Sequence, residues 1–71
     1  MPQYCVNRNR DNRGHHEVHV LNNTCTRLPN PENRVALGNH ASCSSAVQEA
    51  KQRGYSTANG CYYCSPACNT G

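Results

Sequence analysis

Cys61-Tyr62-Tyr63-Cys64 is the segment whose residue types and spacing most directly support chemistry. Two residues between the cysteines let both thiolates face one ion from a single tight turn, and Gly60 just before them relieves backbone crowding. Zinc bound in this way takes four ligands, and the upstream candidates for the other two are His19 and Cys25. An ion held by His19, Cys25, Cys61 and Cys64 would carry a site charge of about −1. It would also close the long loop from Cys25 to Cys61. Cys68 is the alternate fourth ligand, since Cys61-x2-Cys64-x3-Cys68 also places three thiolates around one ion. That all-thiolate site would carry about −2 and be the more nucleophilic. His19 takes precedence because it ties the first hairpin to the C-terminal knuckle, whereas a Cys68 ligand leaves only Cys25 to hold the N-terminal half.

Other chemistries fit less well. A Cys-x-x-Cys is also a thioredoxin-like redox motif, but that site wants a nucleophilic cysteine at a helix start on a larger parallel scaffold. His16-Glu17-Val18-His19 is one residue short of His-Glu-x-x-His and lies on an expected strand, so its imidazoles share no helical face. There is no Gly-x-Ser-x-Gly, no phosphate-binding loop and, with four acidic residues, no persuasive carboxylate pair. The balance leans away from an enzyme.

The composition explains why a staple is needed. Among 71 residues there are five Val and three Leu, with no Ile, Phe or Trp. That is below the roughly 20% of strong hydrophobes under which chains tend to stay disordered. Burial alone then cannot offset the ordering entropy, which leaves disorder, a disulfide framework or a bound metal. Six cysteines speak against disorder. The start Met1-Pro2-Gln3-Tyr4-Cys5-Val6 lacks the apolar run and cleavage site of a secretory signal, and no stretch is apolar enough to span a membrane. The expectation is a cytoplasmic chain with reduced thiols, in which cysteines serve as metal ligands and core residues. A disulfide-stapled secreted peptide is the further alternative.

These ligands need elements to position them. Tyr4 and Val6, then Val18 and Val20, alternate with polar neighbours as two short strands, with turn chemistry at Asp11, Asn12 and Gly14. Leu28-Pro29-Asn30-Pro31 is a rigid loop, and Arg34–Leu37 reads as a third strand closed by Gly38. Cys43, Ala46, Val47 and Ala50 fall on one helical face behind Ser42 as N-cap, with Lys51 and Arg53 near the carboxyl end and Gly54 after it. Ser65-Pro66 opens a short helical turn through Cys68. The expected fold is α+β: one zinc-stapled domain over residues 1–71, with about three short antiparallel strands, a helix over about 43–53 and a C-terminal turn.

His19-x5-Cys25, Pro31-Glu32-Asn33-Arg34-Val35, Glu49-Ala50 in a helix, Gly54-Tyr55 and Cys61-x2-Cys64 follow one another in an order that resembles the Ada-type metal-binding domain. The resemblance covers roughly residues 17 to 68. The chain differs in having five residues, not three, within the first pair, and residues 56 to 60 inserted before the knuckle. The resemblance implies a zinc site. In the DNA-repair member of that family, a zinc-bound cysteine of the first pair accepts a methyl group from a DNA phosphotriester. His19 occupies the matching position, and a ligating imidazole has its lone pair committed to the metal.

The remaining groups have plainer expected roles. Cys43 and Cys5 read as small buried packing residues, Tyr4 and Tyr55 as core, and His15, His16 and His40 as solvated. Tyr62 and Tyr63 are expected to pack over the metal site, although either ring is able to stack on a base. The net charge is +3, and Arg8, Arg10 and Arg13 cluster on an Asn-rich tract that can contact phosphates. The functional expectation is a monomeric, stand-alone structural-zinc binding module whose sequence names no role; its arginines read first as a solvated hairpin tip and second as a contact for nucleic acid or protein. The alternative is an Ada-like thiolate acceptor of alkyl groups from damaged DNA.

Overall fold

A computed structural model describes residues 2–21 and 25–70. The alternating residues at the start form an antiparallel pair, β1 (Gln3–Asn7) and β2 (His16–Val20), with Tyr4 opposite Val20, Cys5 opposite His19 and Val6 opposite Val18. Side chains alternate across a strand, so the tyrosine and valines share one face while Cys5 and His19 share the other. Asp11 organises the connection. Its Oδ1 accepts the backbone N–H groups of Arg13 and His15, both at 2.9 Å, and Gly14 takes φ 82°.

A single 3-10 turn, Pro31–Asn33, leads into β3 (Arg34–Asn39), which pairs antiparallel with β1. Tyr4 faces Gly38 but Cys5 faces Ala36, so Leu37 is the extra residue of a bulge, and Gly38 sits at φ 81° where a side chain would be strained.

The helix α1 (Cys43–Gln52) begins after Ser42, whose backbone is extended but whose side chain makes no capping bond. Its end is a Schellman motif. Tyr55 N–H reaches Ala50 O at 3.0 Å and Gly54 N–H reaches Lys51 O at 3.1 Å, with Gly54 at φ 102°. His40 pins the β3–α1 corner, with Nδ1 2.9 Å from Ser45 Oγ and Nε2 2.9 Å from Leu37 O and 3.2 Å from Glu49 Oε1.

The three antiparallel strands expected from the sequence are corrected to four. β4 (Ala58–Gly60) lies beside β2 and runs parallel to it, giving the order β3-β1-β2-β4. Parallel strands need a long crossover, and α1 supplies it, carrying the chain over the sheet from the β3 edge to the β2 edge. The ladder continues past β4, with Cys61 N–H donating to Val18 O at 2.9 Å.

The sheet therefore has two different faces. On one, Tyr4, Val6, Val18, Val20 and Leu37 pack with Ala46 and Ala50 of α1, flanked by Val35, Val47 and Tyr55. On the other lie Cys5 and His19, both fully buried.

A second correction concerns the cysteines. Cys43 at the start of α1 is not a lone packing residue: it forms a disulfide with Cys68 in the Pro66–Cys68 turn. The bridge spans a sequence separation of 25, for which loop-closure entropy gives about 3–4 kcal/mol.

Among the described glycines, Gly60 is the one with no space for a side chain. A Cβ there would lie 2.6 Å from both Cys68 Cβ and Ser65 O. One of these contacts is backbone, so relaxation is restricted. Gly60→Ala is expected to destabilise the chain by at least about 1–3 kcal/mol in urea unfolding, and a midpoint equal to that of the parent would show that the turn has slack.

Candidate metal centre

Four side chains from three parts of the chain converge around His19, which lies on the sheet face opposite α1, with Cys64 also touching the core cluster. β2 supplies His19, the segment before the Pro-rich loop supplies Cys25, and the turn after β4 supplies Cys61 and Cys64. Their ligand atoms all lie within 4.8 Å of one another. Cys25 Sγ stands 3.4 Å from His19 Nδ1 and 3.7 Å from Cys61 Sγ, and Cys64 Sγ stands 3.6 Å from His19 Nδ1. None of the three sulfurs is in a disulfide.

Local backbone geometry presents the knuckle. Cys61 is fixed to β2 by its ladder bond, and Ser65 N–H donates back to Cys61 O at 2.8 Å, closing the turn that brings Cys64 round. Arg34 braces the Pro-rich loop that follows Cys25, donating from Nε to Pro29 O at 2.8 Å.

The electrostatics suit an ion. Burial first, then the neighbouring Arg34 charge, pushes the His19 pKa down to about 4, so the imidazole stays neutral and able to donate its lone pair. Burial also pushes the Cys61 and Cys64 thiols up. A divalent cation reverses that preference, because a coordinating thiol is deprotonated outright. His19 Nε2 is buried without a hydrogen-bond partner, and Glu17 Oε1 lies 3.7 Å from it. A ligating histidine commonly points its second ring N–H at a carboxylate, and Glu17 is placed on the side of the ring where it would need only a small shift to serve. These residues fit a metal ion.

All four residues of the expected set are thus brought together, and the alternate Cys68 is not among them, because its sulfur is bonded to Cys43. Cys5 is buried beside His19 but outside the group, and burial raises its thiol. His16 and His40 are tied into the fold: His16 Nδ1 meets Asn7 O at 3.0 Å and its ring packs edge-on against Tyr55. Tyr62 and Tyr63 do not cover the site; they are exposed. The arginine tract is dispersed. Arg8 donates to Glu32 O, Arg10 approaches His16, and Arg13 lines a cleft with Glu17 and Tyr63. Glu17 stands two residues before His19 on β2, a spacing that places both on one face of the strand and was readable in the sequence.

Compared with protein-family profiles, curated proteins and solved structures, the chain matches none. The Ada-type resemblance therefore rests on motif order alone. Among the described residues, no helix is long and apolar enough to cross a membrane.

The two candidate fourth ligands separate by mutation. His19→Ala should abolish tight metal binding, Glu17→Gln should weaken it by about tenfold to a hundredfold, and Cys68→Ser should leave stoichiometry intact while losing the disulfide. Metal content by mass spectrometry under native conditions reads all three, and metal loss in Cys68→Ser alone would move the ligand to Cys68.

Proposed function

We propose that this chain is a structural-zinc binding module in which His19 Nδ1 and the Cys25, Cys61 and Cys64 sulfurs are the four ligands. One observation carries the reading: three of the six donor–donor separations match the edges of a zinc tetrahedron, and all six lie within 4.8 Å. Bond lengths of about 2.3 Å to sulfur and about 2.0–2.1 Å to nitrogen give edges of about 3.8 Å between sulfurs and about 3.6 Å between nitrogen and sulfur. The observed separations are 3.7 Å for Cys25–Cys61 and 3.4 and 3.6 Å for the two nitrogen–sulfur pairs. Three soft thiolates with one imidazole also suit zinc over harder cations.

Four protein ligands close the coordination sphere, which is the pattern of a structural site. Bound zinc supplies a fixed double charge, worth on the order of 10 kcal/mol of folding free energy in small domains. The chain does the rest: β2 orients His19, Glu17 lies on the Nε2 side of its ring, and the Gly60 turn aims Cys61 and Cys64.

The alkyl-acceptor alternative gains nothing from the geometry. His19 stands where the resemblance puts a thiolate, Cys25 and Cys61 are buried from a bulky substrate, and of the set only Cys64 is partly exposed.

Cobalt(II) replaces zinc in such sites and reports its ligands by absorbance. Titration of the chain should give intense tetrahedral d–d bands and thiolate charge-transfer bands saturating at one ion per chain, reversed by added zinc. A weak octahedral spectrum would contradict the proposed ligand set.

A further inference from the structure

The two residues inside the knuckle turn outward. Tyr62 is 67% and Tyr63 56% exposed, whereas Tyr4 is buried and Tyr55 packs against the core. Their rings meet edge-to-face with centroids 5.2 Å apart. Arg27 steadies Tyr63, its guanidinium 4.9 Å from the ring centroid and its Nη2 donating to the hydroxyl at 3.3 Å. Two clefts of about 250 Å³ each open at this pair and share Asp11, Arg13, Glu17 and Tyr63, so they run together.

The chemistry of the lining is specific. It offers aromatic faces, two guanidinium groups and the Glu17 carboxylate, whose side chain is 28% exposed. Asp11 is already engaged by the N–H groups of its own turn. A basic peptide would meet Arg13 and Arg27, and an acidic one would meet Glu17 and Asp11. A nucleobase joined to a phosphate satisfies the mixture. Its ring stacks on tyrosine, its N–H donors face the carboxylate, and its phosphate takes the forked guanidinium bonds. Guanine, with adjacent N–H donors on one edge, suits a carboxylate best.

We propose that the cleft beside Tyr62 and Tyr63 binds single-stranded nucleic acid, taking one base, preferentially guanine, against the tyrosines with its phosphate on Arg13 and Arg27. Paired bases keep their faces stacked and their edges occupied, so a duplex does not fit. A strand is preferred to a free nucleotide because the two joined clefts, each of about 250 Å³, leave room for a neighbouring nucleotide beside the one on the tyrosines. The proposal rests on the metal reading, since the ion closes the turn that presents the tyrosines.

The test uses the full, zinc-loaded chain. Short labelled single strands rich in guanine or made only of thymine, the matching duplex, and guanosine monophosphate are titrated by fluorescence anisotropy. The guanine-rich strand should bind tightest and weaken with salt, while the duplex should not compete. Tyr62→Ala and Tyr63→Ala should each weaken binding by about tenfold or more, and Arg13→Ala should weaken it and flatten the salt dependence. Metal content and amide dispersion are recorded on every sample, so failure to bind with both retained overturns this proposal and leaves the metal reading standing. Unchanged affinity in the tyrosine variants overturns it too. Equal affinity for the monophosphate and the strand overturns the single-strand assignment.

Discussion

Three sulfurs and one imidazole nitrogen held within 4.8 Å of each other, nearly all of them buried, are a demanding thing to build into a chain with eight strong aliphatic residues. As neutral groups they contribute little packing and leave His19 Nε2 without a hydrogen bond. As ions they repel one another in a low-dielectric setting. A divalent cation at their centre would offset the repulsion and give the three sulfurs and Nδ1 a common partner, and the fold brings them to that point.

The crossover is the chief device. β3 and β4 run along opposite edges of the sheet, and α1 spans the distance between them. This places the knuckle next to β2, where His19 already points away from the helix. The apolar residues are spent on the α1 side, the donor atoms on the other. A small chain thus obtains two thin layers of packing in place of one thick core. The Cys43–Cys68 disulfide and the metal site are complementary constraints. The first ties the helix start to the last turn, and the second, with an ion bound, would tie β2 and Cys25 to the knuckle.

The hairpin, the helix and the knuckle were legible in the sequence because each carries a local signal: alternation, a helical stripe ended by Gly54, and a Cys-x2-Cys after glycine. β4 was not legible. Ala58-Asn59-Gly60 has almost no strand propensity, and its extension comes from pairing with β2. The disulfide escaped for a related reason. On a helical stripe Cys43 looks like any small apolar residue, and only the crossover reveals that Cys68 lies beside it. The exposure of Tyr62 and Tyr63 follows from the same turn, since both Cys61 and Cys64 point inward and the residues between them are left to face out.

Removing the ion while leaving every covalent bond in place tests the central claim most directly. The purified chain, with the Cys43–Cys68 disulfide intact, is treated with a strong chelator and followed by two-dimensional amide NMR. If the metal-ligand convergence is what holds the sheet and the knuckle together, the dispersed resonances of β2, β4 and residues 61–65 collapse towards random-coil positions and return on adding zinc. Retention of the full dispersed spectrum in the metal-free chain would show that the fold stands without the ion.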